Sequence, residues 1–403
     1  MPGAAIHSAQ GRSLQPWLRV AAIAGGTFVM VTSEFLPIGL LSPMAHDLGV
    51  SEGRAGLMVT MPGMVAAVSA PLLTSIAGRF DRRILLLSMS LLIILADLVV
   101  ASAFGLLTIL LGRMILGAAL GGFWALAASA GRKLVPEADG NRAIALILGG
   151  ISIGTVAGVP LGTFVGEIAG WRAAFASVAV LGGAMLVAQG LLLPPIPGDA
   201  SASIRSLFSV ARVSGVQVGY AAAALTAAGH FAAYTYLQPF LAVSGWNEPI
   251  PLTVILASYG IAGIAGTWTG ERVATRSAGL GFAAVAFLVG VAIELAVLAQ
   301  GFPWIVAVAV VLWGAAFGAL PVCVQIWTFE AAPAEFEAGS ALMVTVFQIA
   351  VAGGALLGGR LVDGPGVRVA FAVGGALAVT AAVVLMAFIL MRHVKFAGVD
   401  KRL

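Results

Sequence analysis

Charge is what this sequence has least of. Only 9% of its 403 residues are Asp, Glu, Lys or Arg, against about 25% in an ordinary soluble domain. So few charges cannot cover a water-facing surface, which excludes a chain built of soluble domains. A single cysteine, Cys323, excludes an internal disulfide, and no Cys/His cluster has the spacing of a metal site. There is no phosphate-binding glycine loop, zinc motif or nucleophile elbow. No cofactor is therefore expected, and the chain is read as something other than an enzyme. The formal net charge of +4 and the isoelectric point near 9.6 come from basic residues scattered among loops. That scatter excludes a nucleic-acid surface and fits anchoring to a lipid bilayer.

What is present is apolar. Hydrophobic residues make up 60% of the chain and the mean hydropathy is +1.06. The runs are apolar throughout rather than alternating, which excludes a membrane β-barrel. A spanning helix needs about 20 such residues. Twelve runs qualify, at 20–41, 56–78, 84–102, 106–130, 143–166, 173–193, 216–243, 251–270, 278–300, 303–328, 338–362 and 369–391. An all-α membrane protein of twelve transmembrane helices is predicted. No small-residue cleavage site follows the first run, so it is read as a retained helix.

Lys and Arg sort to one side of these spans. With the N-terminus inside, the inner segments hold Arg12, Arg19, Arg79, Arg82, Arg83, Arg132, Lys133, Arg142, Arg205, Arg212, Arg272, Arg276, Arg392, Lys395, Lys401 and Arg402. The outer segments hold Arg54, Arg172, Arg360 and Arg368. The positive-inside rule then places both termini in the cytoplasm. The longest polar stretch, Pro194–Gly215, falls near mid-chain, and its PPIPGDASAS segment keeps it from continuing a helix. It is read as a cytoplasmic linker (194–215) between six-helix bundles at 1–193 and 216–403. The halves echo each other: PLGTFVGEIAGWRAAF from Pro160 aligns with LLGGRLVDGPGVRVAF from Leu356, matching Glu167 with Asp363 and Gly170 with Gly366. A duplicated pair of pseudo-symmetric bundles is implied.

Ionisable groups inside hydrocarbon cost about 2.5–3.5 kcal/mol each at mid-helix on insertion scales, so those that are kept mark function. Glu34, before the outer end of the first span, and Arg113, after the outer end of the fourth, both lie about 10 Å below the outer face. A carboxylate and a guanidinium at one depth can pair, and protonating Glu34 would weaken that pair and couple a proton to a conformational change. A permanent structural ion pair, or a Glu34 carboxylate that snorkels out to water, is the alternative. His230 and Tyr234 lie one turn apart in the seventh span. They read as substrate contacts in a central cavity, or as a histidine satisfied between helices. Phe123, Trp124, Gln325 and Trp327 are further cavity candidates, with Gln238, Trp268, Trp313 and Gln348 beside them, since amides and aromatics suit a neutral, partly planar solute.

Two patterns bear on movement. Gly150, Gly154, Gly158 and Gly162 recur every four residues around Pro160, giving a smooth helix face with a bend. Such a face serves plain packing and also suits bundles that rock against each other. The GRFDRR loop, with Gly78, Asp81, Arg82 and Arg83, is read as an inner-side latch or as simple positive-inside anchoring.

Several of these strings carry a family resemblance. EFLPIGLLSPMAHDLGVSEGRAG, the Arg113 segment LLGRMILG, the GVPLG region and the turn GWRAAF resemble the twelve-span drug:proton antiporter branch of the major facilitator superfamily. GVPLG departs from that branch's antiporter motif, since Val159 separates Gly158 from Pro160 and Thr163 replaces the last glycine. GRFDRR resembles a shortened inner-loop motif of the superfamily. EFLPIGLLSPMAHDLG, GRMILGAALGGFWALAAS and LWGAAFGALPVCVQIW resemble the purine ribonucleoside efflux permeases within the branch most closely. The resemblance runs over nearly the whole chain. It implies a major facilitator fold and a monomeric antiporter in a bacterial inner membrane. Such a protein would export inosine- or guanosine-like solutes in exchange for protons by alternating access. Drug efflux, arabinose-like sugar efflux and a non-transporting sensor of the same fold are the rival readings. In this architecture the third and ninth spans are usually peripheral, so Asp97 and Glu294 are expected to be structural or interfacial.

Overall fold

The computed structural model describes residues 14–77, 80–198, 204–244, 252–333 and 336–400, and the regular structure among them is helical. A helix closes its backbone hydrogen bonds within one segment, as hydrocarbon surroundings demand. α1 (Leu14–Gly39) crosses to the face opposite the termini, called distal below, where α2 (Leu41–Asp47) and α3 (Glu52–Ala55) form the first connection. α4 (Leu57–Ala77), α5 (Arg82–Ala101) and α6 (Leu106–Lys133) follow as spans. The fifth span is α7 (Gly140–Ile153) and α8 (Val159–Ala169), joined by a π-helical turn at Gly154–Gly158; α9 (Trp171–Leu192) is the sixth. After α10 (Ile204–Ala211), the seventh span is α11 (Ser214–Tyr234) and α12 (Leu237–Val243), interrupted at Thr235–Tyr236. α13 (Leu252–Ala274), α14 (Ala278–Leu298), α15 (Pro303–Ala331), α16 (Phe336–Asp363) and α17 (Val367–Asp400) complete the chain. Among the described residues, eleven helical stretches are long and apolar enough to span. The seventh predicted span is the broken and more polar α11–α12, which carries His230, Tyr234, Thr235 and Gln238.

Helix ends follow local chemistry. Asp81 caps α5 by accepting from the Arg83 amide at 2.8 Å, and Ser277 caps α14. Gly170 and Gly366, paired in the sequence repeat, both adopt left-handed backbone (φ +85° and +110°) where one span ends and the next begins. Beyond Gly170, Trp171 and Arg172 donate to Asp47 Oδ2 at 3.2 and 2.7 Å, and Arg172 also lies over the Trp171 ring. The hydrogen bonds from Arg172 and then Trp171 hold the Asp47 carboxyl below its usual range.

Three features depart from the sequence reading. The linker contains a helix, α10, which packs on α11 and α16 with Val210 buried; IRSLFSVA is amphipathic and lies beyond the proline-rich breakers. The distal connection forms α2 and α3, the latter capped by Ser51. The fifth span is irregular one turn before Pro160. Pro160 has no amide hydrogen for the Val156 carbonyl, and in the π turn just before it Val159 donates to the Gly154 carbonyl five residues back.

α1 and α4–α9 pack among themselves, as do α11–α17. The two groups meet where α4 runs beside α16 and where α8 and the π turn run beside α13. Asp363 accepts from Ser51 Oγ at 2.7 Å and the Gly53 amide at 2.9 Å. Gln238 Oε1 accepts from the Ser42 amide at 3.1 Å, and Glu167 accepts from Thr253 Oγ1 at 3.3 Å. These four bonds join the groups at the distal face.

Candidate functional site

Pro37 in α1 and Pro62 in α4 cannot donate to the carbonyls four residues earlier, those of Ser33 and Met58. Arg113 of α6 fills both gaps. Its Nη1 donates to Ser33 O at 2.7 Å, its Nε to Met58 O at 2.7 Å and its Nη2 to Glu34 O at 2.5 Å. A guanidinium pairing with the Glu34 carboxylate was the expectation. The bonds run instead to backbone carbonyls, two of which the prolines leave open. The Glu34 carboxylate turns to the other group of helices and accepts from Gln348 Nε2 of α16 at 3.4 Å. Glu34 is only 4% exposed, which excludes a carboxylate reaching out to water.

Asp97 of α5 is 1% exposed and belongs to the same cluster: its Oδ1 accepts from Ser33 Oγ at 2.6 Å, and the Arg113 charge acts on it as on Glu34. A peripheral structural Asp97 was expected. The structure brings it to the depth of Glu34 and Arg113. Glu294 stays apart, against Gly375 of α17.

A second cluster adjoins the first. Glu34 is followed by Phe35, and Gln348 is preceded by Phe347; both rings pack toward Phe231 (5.7 and 6.3 Å between centroids). Behind Phe231, the His230 ring stacks on Phe317 at 3.5 Å and Tyr234 at 4.9 Å, with Trp313 edge-on at 5.3 Å. Tyr234 stacks on Tyr259 at 4.6 Å. Three buried polar atoms in this box have no hydrogen-bond partner: His230 Nδ1, Tyr259 Oη and Trp313 Nε1. Buried polar groups are nearly always satisfied; these three, set among flat rings, are left unsatisfied by the described residues.

His230, Tyr234 and Trp313, all named from the sequence, come together here, while Tyr259 and Phe317 complete the box. Phe317 stands four residues after Trp313, the spacing of His230 and Tyr234, the one signal in the sequence that pointed to it. Gln348 sits at the junction with Glu34, and the remaining cavity candidates lie elsewhere. Phe123 is fully buried beside Gly26 and, with Trp124, lines a void of about 30 Å³ between α1, α6 and α7. Trp327 donates Nε1 to Gly215 O at 2.8 Å and packs on Gly219 and Phe282. Gln325 is exposed near the end of α15, about two turns beyond Phe317.

The glycine stripe also faces another way than a rocking surface requires. Gly150, Gly154, Gly158 and Gly162 meet Ala24, Phe28, Thr32 and Leu36 of α1, a matching four-residue row within the same group. Pro160 is buried beside them. The contact with the other group uses a different face of this span, where Val156 meets Gly260 of α13. In the GRFDRR loop, Gly78 lies outside the described residues. Asp81 Oδ1 also accepts from the Ile196 amide at 2.9 Å, Arg82 bonds Ser129, and Arg83 donates to Gly190 O at 2.7 Å. These bonds tie the loop to α6, α9 and the segment after α9, not across the groups.

Twelve spans in two packed groups, a buried ionic cluster and an adjoining aromatic box define a membrane transporter. The chain belongs to the Major Facilitator Superfamily, whose model matches residues 23–350. It is 36% identical over 380 residues to the purine ribonucleoside efflux pump NepI of Salmonella paratyphi B, covering 94% of this chain and 96% of that one. The NepI of Salmonella typhimurium is similar to the same degree, over 381 residues. Among solved structures, the fold is shared with a bacterial homolog of the human lysosomal transporter Spinster. The inward-facing occupied form matches with a TM-score of 0.72 at 16% identity, and the inward-facing unoccupied form with 0.67 at 15%. Each covers 94% of this chain and 96% of the solved one.

Proposed function

We propose that this protein exports purine ribonucleosides such as inosine in exchange for protons, by alternating access between bundles 1–193 and 216–403 joined by the 194–215 linker. The observation that carries this reading is the contiguity of the two clusters. Glu34–Phe35 on α1 faces Phe347–Gln348 on α16, so the group that takes the proton and the box that takes the solute share one junction between the bundles. A purine offers two π faces for stacking and ring nitrogens that can meet Trp313 Nε1, Tyr259 Oη and His230 Nδ1. Phe317, stacked on His230, occupies the place a base would take. The likeness to purine ribonucleoside efflux pumps supports the same substrate class.

In this reading Glu34 is the proton site. Protonation removes the charge that engages Gln348 and so loosens the bundles. Arg113 positions Glu34 by holding its helix. The protein works as a monomer in a bacterial inner membrane with both termini cytoplasmic, as the sorting of Lys and Arg supports. Its distal face is closed here by Asp363, Gln238 and Glu167, and the solute enters from the cytoplasmic side.

Counterflow in proteoliposomes with labelled inosine, arabinose and chloramphenicol tests the substrate; exchange of inosine alone is expected. In inverted vesicles, Glu34→Gln is expected to abolish accumulation driven by a pH gradient while leaving counterflow. Unchanged accumulation in Glu34→Gln would remove Glu34 from the proton path.

A further inference from the structure

The ionic cluster sets one cation against two acids. Arg113, Glu34 and Asp97 are 1%, 4% and 1% exposed, and the guanidinium charge acts on both carboxyls. Its hydrogen bonds go to the carbonyls of Met58, Ser33 and Glu34, so neither carboxyl is its fixed partner. The groups facing Asp97 are Ser33 from α1 and Arg113 from α6, and Arg113 is the charge it has in common with Glu34. Arg172 of α9, which also packs on α5, is held near the distal end by Asp47 and Ala103 O. With both carboxyls ionised, the cluster would hold a net charge of one sign in apolar surroundings, at a high cost. One added proton makes it neutral.

The two acids are not equivalent. Glu34 faces the other bundle and accepts from Gln348. Asp97 accepts from Ser33 Oγ at Oδ1, while its Oδ2 is buried without a partner. An ionised carboxylate has about four acceptor sites to satisfy, and a neutral acid has fewer. Asp97 is thus the poorer place for the negative charge.

We infer that Glu34 and Asp97 share a single proton, held on Asp97 while Glu34 is engaged by Gln348, so that Asp97 is a second proton-carrying group of the transporter. When the bundles part and Glu34 loses Gln348, the proton's place shifts from Asp97 Oδ2 toward Glu34. The negative charge shifts the opposite way, and the cluster stays neutral. This extends the reading of Glu34 as the proton site. Its test needs neither substrate nor gradient, so failure of transport and failure of proton sharing are separately visible.

Infrared spectra of the purified full-length protein in lipid, recorded in H₂O and D₂O, report neutral carboxyl groups through their C=O band and its deuterium shift. The wild type is expected to show such a band near neutral pH. Both Asp97→Asn and Glu34→Gln are expected to lose it, because in each the remaining carboxylate alone balances Arg113. A band that persists undiminished in Glu34→Gln would mean that Asp97 is neutral through burial alone. One that persists in Asp97→Asn would give the proton to Glu34. Either result overturns sharing, as does a wild-type spectrum without the band. Where one variant fails to fold, a wild-type spectrum without the band, or a band that persists in the other variant, still overturns sharing.

Discussion

Pro37 and Pro62 lack the amide hydrogens that would close helical bonds to Ser33 and Met58, and Arg113 supplies donors to both carbonyls. A lysine keeps the charge but lacks the planar fork that reaches three acceptors. Arg113→Lys is therefore expected to lower stability by about 2–3 kcal/mol, the worth of one or two bonds from a charged donor, read as a lower midpoint in thermal unfolding. In the aromatic box the sign reverses. Tyr259 Oη is buried without a hydrogen-bond partner among the described residues. Tyr259→Phe removes that unsatisfied group, so unfolding of the empty protein should move to higher temperature, while inosine binding weakens by up to about tenfold for the lost bond. The two readouts must move in opposite directions; parallel loss would make Tyr259 a packing residue. Glu34, Arg113, His230 and Tyr234 were legible because each is a polar group stranded in an apolar run. Asp97 was equally visible, but its depth relative to Arg113 depends on where two helix ends fall.

At the scale of elements, the fifth span and α1 pack through two rows spaced by four residues. Gly158 is the tightest point: a Cβ there would collide with Thr32 Oγ1. Gly158→Ala is expected to cost about 1–3 kcal/mol as overpacking, measured by thermal unfolding in detergent. Adding Thr32→Ala should recover part of the loss, a non-additivity expected only of side chains in direct contact. The spacing of the glycines announced a close helix contact correctly. It could not say which helix, because any apolar helix accepts a smooth face. The π turn was hidden too, since Pro160 predicts a missing bond without stating how the backbone absorbs it.

Across the whole molecule, the sequence repeat has a mechanical counterpart. Glu167 and Asp363, aligned between the halves, each end a span and each accept a hydrogen bond from the start of a span in the other bundle: Thr253 of α13, and Ser51 with Gly53 before α4. Two related acids thus close the distal face in pseudo-symmetric fashion. If transport requires that face to open, locking it must stop turnover. In a Cys323→Ser background, Ser51→Cys with Asp363→Cys is expected to cross-link under mild oxidation, abolish inosine counterflow, and recover it on reduction. Full counterflow in the cross-linked protein would show that this face need not part.

By itself the sequence determined the class of structure: twelve apolar runs, basic residues on one side, a repeat at half the chain and a few buried polar groups. These follow from the cost of charge and of open backbone bonds in hydrocarbon, which acts on each segment locally. Only the tertiary structure decided the partners. Arg113 meets carbonyls rather than a carboxylate, Asp97 joins the cluster, Phe123 and Trp327 leave the site, and Tyr259 and Phe317 enter it. Which side of a helix meets which neighbour depends on crossing angles and relative depth. Those are settled by packing among helices distant in the chain, and no single apolar run records them.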